Sequence, residues 1–142
     1  MLLQSQMRQP EKPWEFRHYL TDSGRNDMEK WDANLSKRGR ANRDTAMRYL
    51  RNQPIERWTR PEASSIGDHL YVIHFKDENG SAHRLCGFFD LDYHAFVICV
   101  TIIEKDGKYK PKDYEKSTIQ ARANVAGVFE QRTASCTWGC DL

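Results

Sequence analysis

Forty residues from Ile66 to Lys105 read as three consecutive antiparallel strands, and no other stretch constrains the fold as tightly. Leu70 to Lys76 is β-branched and aromatic, and Asp77-Glu78-Asn79-Gly80-Ser81 breaks it. Ala82 to Asp90 follows, then Asp92-Tyr93-His94, then Ala95 to Glu104, the most apolar run in the chain. Two hydrophobic runs joined across an Asn-Gly break are a strong hairpin signal. The third run is apolar at odd and even positions alike, so both of its faces are expected to be covered. Two loop parities are open. A two-residue Asn79-Gly80 loop sets His74 opposite Leu85. A three-residue Glu78-Asn79-Gly80 loop sets it opposite Arg84, on one face.

Around this meander the chain alternates strand and helix signals. Residues 1–13 and 133–142 read as flexible tails flanking one domain over 14–132. Trp14 to Leu20 places Trp14, Phe16, His18 and Leu20 on one side of a first strand. Met28, Trp31 and Leu35 form an inward stripe on a helix from about Arg25. Ser36 can cap a second helix that carries Ala46, Met47 and Leu50 inward and stops before Pro54. A last helix from Tyr114 to about Arg132 shows apolar Tyr114, Ile119, Ala123, Val125, Ala126 and Phe129. The order β-α-α-β-β-β-α predicts an α+β domain with helices on one face of a small antiparallel sheet. Trp31, Leu35, Met47 and Leu50 are expected against Ile98, Val100 and Ile102.

Charge adds a direction. The net charge is only +2, yet Ser36 to Arg60 holds eight Lys or Arg against Asp44 and Glu56. Arg40, Arg43, Arg48 and Arg51 should line one side of the helical hairpin, suited to a polyanion or to plain solvation. No window approaches the roughly 18 apolar residues of a membrane span. Met1-Leu2-Leu3 is too short and too unflanked to be expected as a signal peptide. Cys86 and Cys99 lie inside expected strands, and Cys136-x-x-x-Cys140 lacks a nearby histidine. The four cysteines therefore suggest neither disulfides nor a metal site, and a reducing cytoplasm is expected.

The polar residues of the meander form a pattern: Tyr71-Val72-Ile73-His74-Phe75, His83-Arg84-Leu85, Ile103-Glu104-Lys105 and Lys108-Tyr109-Lys110-Pro111, with Ala121-Arg122 in the last helix. Over about residues 14–130 this resembles the HigB branch of the RelE-like toxins, including its phage-derived host-killer members. His74 stands where those relatives have Arg or Lys, and Asp106 replaces a basic residue after Lys105. The resemblance implies a toxin of a type II toxin–antitoxin pair that cuts mRNA on the ribosome and is held inactive by an antitoxin, commonly of helix-turn-helix type.

It further implies His74, Arg84, Lys105 and Tyr109 as catalytic residues. His74 would act as base, Arg84 as phosphate stabiliser, Lys105 as added charge, and Tyr109 as a stacking or proton-transfer group. Lys108 joins the hairpin arginines as an RNA contact. Such 2′-hydroxyl attack on a phosphate needs no metal or cofactor. Two other readings stand beside it: a non-catalytic RelE-like binder of nucleic acid or protein, and a topoisomerase poison of the ParE kind.

Overall fold

The computed structural model describes residues 12–21 and 27–136. Strand β1 (Glu15–Tyr19) is followed by helices α1 (Asp27–Ala33) and α2 (Lys37–Leu50). A 3-10 turn, Ile55–Arg57, leads into β2 (Ala63–Gly67), β3 (Leu70–Lys76), β4 (Ala82–Asp90) and β5 (Ala95–Lys105). The chain ends through β6 (Lys108–Lys110), α3 (Tyr114–Val125), α4 (Phe129–Arg132) and β7 (Thr133–Ser135). Among the described residues this is an α+β fold of seven strands and four helices. The sheet runs β2-β3-β4-β5-β1-β7, with β6 also on β5.

The meander is present as read, and the sheet is larger than the sequence implied. β1 joins β5 in parallel, with Phe16 opposite Phe96 and His18 opposite Ile98. All other pairings are antiparallel. β2, β6 and β7 were not anticipated, being short and mixed in composition. Thr133–Ser135, expected to lie in the tail, pairs with Arg17–Tyr19 instead. The tails at 1–11 and 137–142 lie outside the described residues, as does the start of the first helix before Asp27.

The helical hairpin covers one sheet face. Ser36 caps α2 by accepting the Gly39 N–H at 2.9 Å, and Arg51 and Pro54 follow its end. Met28, Leu35, Ala46, Met47 and Leu50 are buried against Phe16, Ile73, Leu85, Phe96 and Ile98, and Trp31 packs beside them. α3 and α4 cover the opposite face: Ala121, Val125 and Phe129 pack on Phe88, Ala95, Val97 and Cys99. The expectation of helices on one face only is thus corrected.

Two inward patterns also differ. Ile98 faces the hairpin, whereas Val100 and Ile102 lie in a cluster with Val72 and Cys86 on the other face. The cause is a bulge: Cys86 pairs with Val100 but Gly87 pairs with Ile98, leaving Cys99 unpaired in the ladder. One extra residue reverses the facing of everything beyond it. On α3 the inward residues are Thr118, Ala121 and Val125, while Ile119, Ala123 and Ala126 are exposed. Small residues let this helix sit close to the sheet. Thr118 is tolerated there because its hydroxyl donates to the Tyr114 carbonyl at 2.7 Å.

Candidate active site

The turn between β3 and β4 settles the loop parity. The Asp77 N–H donates to Ser81 O and the Gly80 N–H to Asp77 O, both at 2.9 Å, with Gly80 at φ 83°. This is the three-residue form, with glycine in the left-handed position. His74 therefore stands directly opposite Arg84. Cross-strand partners share a face, and here it is the α3 side, just beyond Val72, Cys86 and Ile102.

A cleft of about 470 Å³ opens over these two residues, with Arg60, Pro61, Lys76 and Glu104 also lining it. His74 Nε2 shares a 2.8 Å hydrogen bond with Ser64 Oγ on β2. Burial first, and then the charges of Arg60 and Arg84, push the His74 pKa down to about 4. The imidazole is neutral at pH 7. Its neighbours make the site a good place for an anion.

Arg84 is held from two sides. Its Nη2 lies 3.4 Å from Glu104 Oε2, and its guanidinium carbon sits 4.4 Å from the centre of the Tyr109 ring. Tyr109 reaches this position because β6 folds back on β5, setting it opposite Glu104. The ring in turn meets Tyr114 of α3 edge-on, at 6.0 Å between centroids. Tyr109 is thus a platform beneath Arg84.

The other expected site residues are dispersed. Lys105 and Lys108 are exposed cross-strand neighbours at the β5–β6 turn and are not among the residues lining the cleft. Arg48 is exposed on α2, as are Lys37 and Arg38. Arg40 is exposed but donates to the carbonyls of Asp32 (3.3 Å) and Leu35 (3.2 Å), tying down the end of α1. Arg51 is half-buried. Arg43 is interior: 2% exposed, paired with Asp32 and with Asp44 at 3.0 Å, and lying over the Trp31 ring. Its place on the basic outer side is corrected.

Sequence reasoning missed Arg60 and Ser64. Arg60 sits in an irregular connector before Pro61, and Ser64 in a strand with no apolar alternation. Glu104, named only within the motif, shares the Arg84 face because it lies two residues beyond Ile102, the cross-strand partner of Arg84.

Among the described residues no three His, Cys, Asp or Glu side chains are grouped to hold a metal ion. Cys86, Cys99 and Cys136 are buried, and Cys140 lies outside the described residues. No described helix is long and apolar enough to cross a membrane. No protein-family model, no curated protein sequence and no solved structure matches the chain.

Proposed function

We propose that this chain is a RelE-like toxin of a type II pair, an endoribonuclease that cuts mRNA on the ribosome in the cytoplasm without a metal and is neutralised by an antitoxin. The observation that carries the proposal is His74 paired across the sheet with Arg84, in an open cleft that also holds Arg60. A phosphodiester in the cleft would meet two guanidiniums, whose forked donors match phosphate oxygens. A neutral imidazole beside it accepts the proton of the attacking 2′-hydroxyl. Phosphate charge offsets the fields of Arg60 and Arg84, which raises the basicity of His74 when substrate is bound. Arg84 and Arg60 then stabilise the pentavalent dianion, and as the bond from phosphorus to the 5′-oxygen breaks, water from the open side protonates that oxygen and a 2′,3′-cyclic phosphate is left. Tyr109 serves as a positioning residue by holding Arg84 flat. Lys105 and Lys108 supply charge for RNA outside the cleft.

The test is primer extension on translated mRNA, beside growth under induction. Wild type is expected to cut and to slow growth, and Arg84→Ala to do neither.

A second reading has its own support. Arg84 is already engaged by Glu104, as suits a protein that holds RNA, DNA or a protein partner without cutting. Wild type that binds ribosomes and leaves mRNA intact would select it. Loss of gyrase supercoiling instead would select a topoisomerase poison.

A further inference from the structure

The cleft continues past His74. Pro61, His74 and Phe75 also line a second hollow of about 440 Å³, between the β3 edge and α2. It exists because β2 begins only at Ala63, opposite Ile73. Upstream of that point the chain turns at Pro61, and on this edge of β3 the His74 N–H donates to Glu62 O at 2.8 Å. The volume falls in the range of small-ligand sites, about 300–1,000 Å³.

The walls have a specific chemistry. Tyr49, between buried Met47 and Leu50 in sequence, is 45% exposed and borders the hollow. Asn42 donates its Nδ2 to Lys76 O at 2.8 Å, which fixes the amide and leaves Oδ1 to accept. Thr45 donates its hydroxyl to Ala41 O at 2.9 Å, so its oxygen can only accept from a ligand. Glu62 adds a carboxylate. One open aromatic ring and a rim of acceptors suit a flat, donor-bearing ring system.

We infer that this hollow is a nucleobase subsite in which Tyr49 stacks on the base and Glu62 accepts from its edge, and that guanine is the base it takes. The inference rests on the RNA substrate proposed above. Single-stranded RNA is read by stacking on aromatic side chains and by hydrogen bonds to exposed base edges. Guanine alone among the four bases offers a ring N–H beside an exocyclic amine, two parallel donors for two carboxylate oxygens. The shared wall at Pro61 and His74 puts the base next to a phosphate held by Arg60 and Arg84. Cleavage would then fall beside guanine.

The test titrates the full chain with four 2′-O-methyl dinucleoside monophosphates, which cannot be cut by 2′-hydroxyl attack, and with inorganic phosphate as a probe of the cleft alone. The guanine compound should bind tightest. Tyr49→Ala should weaken it about tenfold, the scale of one lost base–aromatic stack. Tyr49→Trp should keep it, and neither change should alter phosphate binding. Glu62→Gln should remove the guanine advantage. A Tyr49→Ala chain that binds as wild type overturns the subsite, and equal binding of all four compounds overturns the guanine assignment. Tyr49-dependent guanine binding by a chain that cuts no mRNA keeps the subsite and removes the nuclease. Cleavage with no base preference, unchanged by Tyr49→Ala, does the reverse.

Discussion

The Ser36 hydroxyl donates to the Asp77 carboxylate across 41 residues of sequence, so the cap of α2 and the β3–β4 turn share one hydrogen bond. The same Ser36 oxygen accepts the Gly39 N–H, and Asn42 reaches Lys76 one turn further on. The turn that sets the parity of His74 and Arg84 is therefore clamped by the helix on the opposite face. Burial, register and the candidate site are linked through it.

Gly39→Ala tests this clamp. A Cβ there would lie 2.5 Å from Asp77 Oδ1 and 2.9 Å from Cγ. In an open helix the change should stabilise by about 1 kcal/mol. Here it should instead destabilise by about 1 kcal/mol, because the carboxylate must leave its partners. Ser36→Ala should cost about 1–2 kcal/mol as a lost cap. The two effects should not add, since they remove one network. Urea midpoints of the single and double variants decide it, and a raised midpoint for Gly39→Ala would mean that the contact yields freely.

Stability should fall between pH 6.5 and 4. His18 and His74 both have pKa values lowered to about 4, in each case by burial first and then by neighbouring arginine charge, Arg43 for His18 and Arg60 and Arg84 for His74. Unfolded, an imidazole takes its proton near pH 6.5. In the interval the unfolded chain binds more protons, so stability is full above pH 6.5 and is lost as pH falls toward 4. Asp77 extends the loss to lower pH, because the Ser36 hydroxyl and then the Glu78 N–H hold its carboxyl below the usual range. Urea midpoints at pH 7.5, 5.5 and 4.5 should drop in step, and His74→Gln should flatten the trend. His18 or His74 imidazole resonances that titrate near pH 6.5 would refute the assignment.

Arg84, Glu104 and Tyr109 should separate in kinetics. Arg84→Ala removes a charge-assisted stabiliser of the transition state, a loss of about 3 kcal/mol or on the order of 10²-fold in cleavage rate. Arg84→Lys should recover little, since a single ammonium cannot replace a fork lying flat on a ring. Tyr109→Phe should keep the rate because the ring face is the contact, whereas Tyr109→Ala should lower it by letting the guanidinium move. Glu104→Gln should tighten RNA binding by freeing Arg84. Single-turnover rates on translated mRNA compare the Arg84 and Tyr109 variants, their dependence on RNA concentration reads the binding of Glu104→Gln, and equal rates for Arg84→Ala and wild type would move the chemistry elsewhere.

What was legible in the sequence divides along physical lines. The three long strands, the Ser36 cap and the stripe Met28-Trp31-Leu35 follow from local periodicity, and the structure has them. The loop parity needed Asp77 to find Ser36, a contact no local pattern contains. The bulge at Cys99 changes no residue type, yet it turns Val100 and Ile102 from one core to the other. β2 and β7 are strands because neighbours offer hydrogen bonds, since Ala63–Gly67 and Thr133–Ser135 carry little propensity of their own. At the site, His74 and Arg84 could be named but Arg60 could not, because an irregular connector has no period to project.

Arg43 and Arg48 provide the last contrast, two arginines on one helix with opposite fates. Arg43 is buried with Asp32 and Asp44, close enough to His18 to lower its pKa. Removing one member of a buried pair costs about 3 kcal/mol or more, because the remaining charge is stranded. Arg43→Ala should therefore lower the urea midpoint sharply, and any loss of RNA binding should track the unfolded fraction. Arg48 is exposed, and Gln at Arg38, Arg40 and Arg48 together should leave the fold standing, at the loss of the two carbonyl bonds by which Arg40 holds the end of α1. That triple variant should weaken RNA binding and reduce the slope of log affinity against log salt by about 2, since each lost phosphate contact on a single strand removes roughly 0.7. Filter binding at several salt concentrations, beside thermal melts, separates the two. An unchanged slope would mean that the outer arginines only solvate α2, and a stable Arg43→Ala chain with a reduced slope would put Arg43 back among the RNA contacts.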